Sequence, residues 1–213
     1  MMRANTTMLG SIPKYHGQYS IGLRRPGMQP MPVWVCFDKG NLVLRAAMPH
    51  FDGVGEPGLL SRFDAIICEL GLDPEADPNR REPAPGDVRI AVFNLGKAVV
   101  SVHQPAARNE QGRAKTLRDG TVTVEPFESE TGGGVTVTAI IPWREIASRP
   151  PQFALDMVIP GDAGVSVLRA DGSGVADRIM WANPVPVVLG DMASETRLAP
   201  HLWGRFKVEK IKN

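Results

Sequence analysis

Pro32-Val33-Trp34-Val35-Cys36-Phe37-Asp38 is the stretch that decides the fold class. Every second residue from Val33 to Phe37 is apolar, which is the period of a strand with one face buried. Asp38-Lys39-Gly40-Asn41 then supplies the residue types of a tight turn, and residues 42–48 continue as a second run of the same kind. The sequence therefore predicts a β-hairpin over these seventeen or so positions.

Similar runs recur on both sides of a long proline-rich loop at residues 71–87. They predict further strands at residues 63–70, 88–93, 98–103, 121–125, 135–141, 153–159, 165–169, 178–181 and 205–211. The run at 135–141 is the strongest of them because it is rich in β-branched residues. A short helical turn is predicted at residues 142–146, and no amphipathic helix of ordinary length is found. The predicted class is all-β, a jelly-roll-like β-sandwich of short antiparallel strands.

The chain has 213 residues, a length that one β-sandwich with long loops can account for. Residues 1–31 contain many glycines and prolines among polar residues, so we expect an irregular N-terminal arm there. The remainder, residues 32–213, is expected to be the β-sandwich domain.

Composition narrows the classes of partner. With 24 basic and 23 acidic residues the formal net charge is +1, so the protein has no overall positive charge that would attract nucleic acid or an acidic membrane surface. No stretch approaches the ~20 apolar residues of a membrane span, and the chain as given shows no secretory signal. A soluble protein is expected, and its compartment stays open because an extracellular or periplasmic product that has lost its signal has the same appearance.

Signatures of catalysis are missing from the sequence. No serine lies in a G-x-S-x-G elbow, and the glycine-rich segments lack the strand-to-helix context of a phosphate-binding loop. The four histidines are scattered, and Cys36 and Cys68 are too few for a thiolate metal site, so we interpret them as buried thiols. The chain is therefore predicted not to be an enzyme.

Two acidic loops are candidates for calcium, which prefers several oxygen ligands from one turn. The first contains Asp73, Glu75 and Asp77, and the second contains Asp171, Ser173 and Asp177. Neither has the spacing of a twelve-residue helix-loop-helix site, and solvated turns explain both equally well.

The four tryptophans fall in different settings. Trp34 shares its strand face with Asp38, so either a second layer of protein or a ligand must cover the indole ring. Trp143 and Trp181 are expected in the core, and Trp203 is expected to close one end of the sandwich.

In this order, the segments resemble carbohydrate-binding module family 9. The matching segments are Val33 to Leu44, Phe63 to Ile66, Asp87 to Ile90, Thr136 to Trp143, Arg178 to Trp181, and Pro200 to Val208 with Trp203-Gly204. Together they span about residues 32 to 208, and the resemblance implies a β-sandwich that binds a glycan without catalysis.

The same resemblance implies a sugar clamp of two tryptophans supported by an arginine, a glutamate and an asparagine. Only the arginine has a counterpart, Arg89; the other positions fall near Leu60, Ile67, Thr196 and Arg197. Loss of both stacking rings removes much of the binding free energy of such a site. Any glycan would therefore need another surface, for which Trp34, Arg45 and Trp203 join Arg89 as candidate ligand-binding residues.

Three functions remain open at this point. The first is a non-catalytic glycan-binding module, and the second is a structural or protein-interaction subunit of a larger assembly that docks through the N-terminal arm. The third is an electron-transfer subunit that binds haem b through axial ligands drawn from Met48, His50, His103, Met157 and Met180. No cofactor other than calcium or haem is suggested, and the partner is expected to be a glycan or another protein.

Overall fold

The computed structural model describes residues 18–23, 31–38, 40–53, 63–94, 98–104, 113–116, 121–129, 132–147, 157–169, 171, 175–183 and 198–207. Every strand pairing among these residues is antiparallel, and the strands form two sheets. The all-β sandwich predicted from the sequence is confirmed.

Twelve strands make up the described part of the fold. In chain order they are β1 (Gln18–Leu23), β2 (Met31–Phe37), β3 (Asn41–Met48), β4 (Ala65–Gly71), β5 (Asp87–Asn94), β6 (Ala98–Gln104), β7 (Arg113–Thr116), β8 (Thr121–Ser129), β9 (Gly132–Pro142), β10 (Val158–Leu168), β11 (Val175–Met180) and β12 (Gly204–Lys207). The five-stranded sheet has the order β1-β2-β3-β9-β8. The seven-stranded sheet has the order β11-β10-β4-β5-β6-β7, and β12 pairs with β10.

The core fills the space between the two sheets. Its residues come from alternate positions of the facing strands, as the pleat requires. The largest fully buried side chains are Trp143, Phe37, Phe63, Phe206, Leu42, Leu44, Met48, Ile66, Leu70, Ile90, Ile141 and Ile146. All of these except Phe63 belong to the cluster between the sheets, and each contributes about 1.5–3 kcal/mol by leaving water.

The predicted hairpin is formed by β2 and β3, and Trp143 fastens its turn. This residue begins the one-turn helix α1 (Trp143–Ile146), where a helical turn was predicted. Its indole Nε1 donates to the carbonyl oxygen of Asp38 at 2.7 Å, and its backbone N–H donates to the carbonyl oxygen of Gly40 at 3.0 Å. The end of the β9 strand is thereby bonded to the hairpin turn.

Three strands differ from the prediction. Strand β7 was not predicted, and six residues of the expected irregular arm form β1, which pairs with β2 at the edge of the five-stranded sheet. Residues 158 and 159 of the predicted strand 153–159 belong with 165–168 to the single strand β10; residues 153–156 lie outside the described residues. The internal glycines of β10 do not make a turn: a Cβ at Gly164 would collide with the Ile179 carbonyl oxygen and lie 2.7 Å from Met180 Sδ. Glycine is required there because β11 approaches closely.

The seven-stranded sheet also has a buried apolar group on the face turned away from the core. This outer cluster consists of Phe63, Ala65, Ile67, Ala91, Phe93 and Met180. The rings of Phe63 and Phe93 lie 5.3 Å apart. No helix in the described ranges is long and apolar enough to cross a lipid bilayer.

Candidate functional site

Arg89 and Glu69 form a buried ion pair on the outer face of the seven-stranded sheet. They are register partners on β5 and β4, and their neighbours in sequence point into the core because side chains alternate along a strand. Arg89 Nε and Nη2 both donate to Glu69 Oε1, at 2.8 and 2.5 Å. The two residues are 5% and 7% exposed, so this pair is shielded from water.

Trp203 lies against this pair. It follows the short 3₁₀ helix Pro200–Leu202, and its indole Nε1 donates to Glu69 Oε2 at 2.7 Å. The ring packs over Gly71, where an added Cβ would lie 3.3 Å from Trp203 Cζ3. Both Glu69 oxygens therefore accept hydrogen bonds: Oε1 accepts two from Arg89, and Oε2 accepts one from Trp203, which is partly exposed.

A second arginine covers the same tryptophan. The Arg80 guanidinium carbon lies 5.6 Å from the centroid of the Trp203 ring, a cation–π distance. Arg80 also pairs with the buried carboxylate of Asp87, with Nε donating to Oδ2 at 3.1 Å and Nη2 contacting Oδ1. Burial raises the pKa of Asp87, and the hydrogen bonds from Arg80 and the Ala84 N–H oppose that rise. We call Glu69, Arg80, Asp87, Arg89 and Trp203 the outer-sheet network.

Asp162 borders the outer-sheet network on β10, opposite Glu69 in register. Its carboxylate is fully buried and accepts three backbone N–H bonds: from Ala163 at 2.8 Å, and from Ala182 and Asn183 at 2.9 Å each. Burial is the largest influence and raises the pKa of Asp162 to about 6, and the nearby charge of Glu69 acts in the same direction. The carboxylate thus fixes the segment that follows β11.

Trp181, just before that segment, is exposed rather than buried in the core as predicted. Its exposed fraction is 41%. One side of its ring stacks on Phe206, with 5.2 Å between centroids and 28° between planes. The ring also packs against Gly204, which has no side chain: a Cβ there would lie 2.7 Å from Trp181 Cη2.

The remaining two candidate residues lie on the other sheet. Trp34 and Arg45 are register partners on β2 and β3, on the outer face of the five-stranded sheet. The Arg45 guanidinium carbon lies 5.6 Å from the Trp34 ring centroid and covers it. Within the described ranges, Arg45 Nε is buried without a hydrogen-bond partner. The structure therefore brings Arg89 together with Trp203, and Trp34 together with Arg45, on opposite outer faces of the sandwich.

Of the positions that correspond to the implied sugar clamp, some lie outside the described residues and one is buried. Leu60, Thr196 and Arg197 lie outside the described residues. Ile67 is 4% exposed and packs into the outer cluster. Two residues further along the same face, Glu69 places a carboxylate beside Arg89. Alternation places residues 67 and 69 on one face, but only the pairing of β4 with β5 identifies Glu69 as the partner.

The first candidate calcium loop does not gather its carboxylates. Asp73 Oδ1 accepts the N–H of Glu75 at 3.0 Å, and Asp77 Oδ1 accepts that of Asn79 at 2.9 Å, so each aspartate closes its own turn. In the second loop, Ser173 and the Asp177 side chain lie outside the described residues, and Asp171 is exposed.

A different group of possible metal ligands is found at His50, Asp52 and Asp64, the only one in the described part of the chain whose donor atoms all lie within 4.8 Å of one another. His50 Nδ1 is 2.6 Å from Asp64 Oδ2, which also accepts the N–H of Asp52 at 2.7 Å. The other Asp64 oxygen accepts the N–H of Leu168 at 2.7 Å. Since both oxygens of this buried carboxylate already bond to the backbone, we interpret the group as an anchor between the end of β3 and the end of β10.

The candidate haem ligands are dispersed. Met48 lies in the core and Met157 packs against it, whereas Met180 belongs to the outer cluster on the other side of the seven-stranded sheet. His50 is engaged with Asp64, and the His103 side chain lies outside the described residues.

Searches by sequence find no match, either among family models or among curated proteins. Similarity emerges from comparison of structures. A carbohydrate-binding module of family 9 from Caldicellulosiruptor kristjanssonii, solved with glucose, superposes with a TM-score of 0.58 at 11% identity, covering 99% of this chain and 94% of the module. The fold is that of a family 9 module.

Two further structures agree with this assignment of the fold. A family 9 module from the same organism in complex with cellotriose gives a TM-score of 0.56 at 12% identity, over 96% of this chain and 92% of the module. A structure from Bacteroides uniformis gives 0.53 at 13% identity, over 89% and 85% of the two chains. The resemblance noted from the ordered sequence segments is thus matched by structural similarity over nearly the whole chain.

Proposed function

We propose that this protein is a non-catalytic glycan-binding module that binds its ligand at the end of the sandwich where the outer-sheet network reaches the surface. The observation that carries the proposal is the hydrogen bond from Trp203 Nε1 to Glu69, which is itself paired with Arg89. It joins the arginine implied by the family resemblance to an aromatic ring that is partly exposed. The similarity in fold to modules solved with glucose and with cellotriose supports the same function.

The chemistry of such a site divides the residues into two roles. Aromatic rings bind the apolar C–H face of a sugar, and polar side chains orient its hydroxyl groups. Arg89 and Glu69 are too deeply buried to contact a glycan directly. They are positioning residues, which fix the orientation of Trp203, and contact with the ligand is left to side chains nearer the surface.

Native affinity electrophoresis tests the proposal. The wild-type protein is run through gels containing hydroxyethylcellulose, xylan or galactomannan, and we expect at least one of these polysaccharides to retard it. Trp203→Ala should weaken the retardation by roughly tenfold in apparent Kd, the effect of losing about 1.4 kcal/mol. Val124→Ala is the control, since it shortens an exposed apolar side chain on β8 of the other sheet and should leave retardation unchanged. Absence of retardation in all three gels and on a broad glycan array would overturn the proposal.

A second function, that of an interaction subunit in a larger assembly, is the alternative that the sequence left open. The buried Arg89–Glu69 pair, to which Trp203 donates, is compatible with it because such a pair stabilises a fold without any ligand. If this hypothesis is correct, the protein isolated from its natural source should migrate as part of a larger complex in native mass measurement. A protein that is monomeric there and retarded by a polysaccharide supports the glycan-binding proposal instead.

A further inference from the structure

Trp181 has the properties of a binding platform that is built in advance. Its ring is fixed on one side by the stack on Phe206, which is fully buried. Its backbone N–H donates to the Ala163 carbonyl oxygen at 2.9 Å. The two residues that follow it are fastened by Asp162. A ring fixed in this way loses little conformational freedom when a ligand binds.

The exposure of this ring is unusual for its environment. A tryptophan normally buries most of its large surface, yet Trp181 remains 41% exposed. Two other residues accommodate the ring at this position. Gly204 packs beneath it and has no side chain, and Asp162 supplies a buried carboxylate for the segment after it. Both are costly to a fold unless the position of the ring matters.

We propose that the exposed face of Trp181 is the stacking surface for a sugar ring, and that it takes the place of the tryptophan clamp that the sequence lacks. The inference rests on the proposed glycan-binding function and assigns the residue that contacts the ligand. Trp181 packs over Gly204, the residue that directly follows Trp203, so the platform and the outer-sheet network adjoin one another.

The chemistry of the surroundings favours a glycan over a partner protein. A protein interface needs about 800 Å² from each partner with an apolar centre. In the described ranges only Val124, Val158, Trp181 and Leu202 are large exposed hydrophobic residues, and Arg205 and Lys207, which flank Phe206 in sequence, are exposed and charged. Four exposed apolar side chains from four different elements are few for a protein interface of that size, whereas one exposed ring can stack on one sugar. The sugars that present a flat C–H face are β-linked pyranoses with equatorial substituents, such as glucose or xylose units, so these are the class we assign.

Substitution at the platform is the direct test. Wild type, Trp181→Ala and the control Val124→Ala, which alters an exposed apolar residue of the other sheet, are compared in native gels containing hydroxyethylcellulose, xylan or galactomannan. We expect Trp181→Ala to lose at least tenfold in apparent Kd in the gel that retards wild type most strongly, and Val124→Ala to match wild type. Equal retardation of all three proteins would overturn the platform while leaving the glycan-binding function intact. If wild type is not retarded at all, the proposed function itself fails.

A measurement on the unaltered protein guards against misfolding of the variant. Acrylamide quenches exposed tryptophans, so the retarding polysaccharide should lower the quenching of wild-type fluorescence when it covers Trp181. The same polysaccharide should lower the quenching of Trp181→Phe by much less, because this variant retains an aromatic ring on Phe206 but only the partly exposed Trp203 is left to be shielded at the site. Quenching of wild type that is unaffected by a polysaccharide known to bind would contradict the assignment, as would an equal decrease in both proteins.

Discussion

Asp162 shows how a single buried carboxylate can make the stability of a protein depend on pH. Its native pKa of about 6 lies above its ordinary value of 3.8, so the native state binds a proton more tightly than the unfolded chain. Stability from this group is therefore fully present below about pH 4 and is lost as the pH rises through 6.

We predict that Asp162→Asn removes this dependence. The free energy of unfolding of wild type minus that of the variant should fall by roughly 2 kcal/mol between pH 4 and pH 7, since a pKa difference of one corresponds to about 1.4 kcal/mol and pH 4 already lies just above the unfolded-state value. Urea unfolding at several pH values, followed by tryptophan fluorescence, measures both proteins. Asp87, whose pKa is also raised, contributes equally to the two and cancels in the difference. A difference that does not vary with pH would contradict the assignment.

At the scale of the strand, the glycines of β10 mark places where another strand or ring comes close. A side chain at Gly164 would collide with β11, whereas one at Gly40 in the β2–β3 turn would meet nothing within 4 Å. Gly164→Ala should therefore destabilise the protein by about 1–3 kcal/mol, the usual range for overpacking. Gly40→Ala, the matched control, should stay within about 0.5 kcal/mol of wild type.

Chemical denaturation of the two glycine variants and of wild type measures these differences in the free energy of unfolding. Amide hydrogen exchange adds a spatial readout, because Gly164→Ala should accelerate exchange chiefly in β11 and in its partner strand. If both variants were equally stable, the close approach of β10 and β11 would not constrain the sequence at this position.

The strands that the sequence patterns predicted and the strands that they missed occupy different positions in the sheets. The strands β2, β3 and β9 border the core on one face, so their apolar alternation is strong and visible in the sequence. The missed strands β1 and β7 are the edges of their sheets, and Arg113-Ala114-Lys115-Thr116 shows no alternation. In β1, Tyr19, Ile21 and Leu23 do alternate with polar residues or glycine, but the glycines and prolines around this segment favoured an irregular arm.

The candidate site was only partly predictable for a related reason. Arg89 and Trp203 came from the family resemblance, and the structure brings them together through Glu69. The choice of Glu69 over Ile67, and the role of Asp162, depend on the register between β4, β5 and β10. Register joins residues far apart in sequence, so it could not be read from any one segment.

At the scale of the whole molecule, the two cysteines report on whether the sandwich opens as one unit. Cys36 lies on the outer side of the five-stranded sheet with Val43, and Cys68 lies in the core between the sheets. Burial raises the pKa of Cys36 to about 12 and that of Cys68 well above its ordinary value. Neither thiol is therefore poised to react in the native state, because the thiolate is the nucleophile.

We predict that both thiols react with Ellman's reagent slowly and at the same rate, which is that of cooperative unfolding. Cys36→Ala and Cys68→Ala, each of which retains one thiol, allow the two rates to be measured separately, and both thiols should react at once in concentrated urea. A much faster reaction of one native thiol would show that its sheet opens independently of the other.

The stack of Trp181 on Phe206 is one end of a longer series of rings. Phe206 meets Phe37 edge-on at 5.8 Å, and Phe37 stacks on Trp143 at 6.2 Å. Four aromatic residues thus run from the surface to the buried end of the hairpin in fixed mutual orientation. Rings coupled at such distances give strong near-ultraviolet circular dichroism, so the fold contains its own spectroscopic reporter. A molecule that binds to the outermost ring should change that spectrum without any added label.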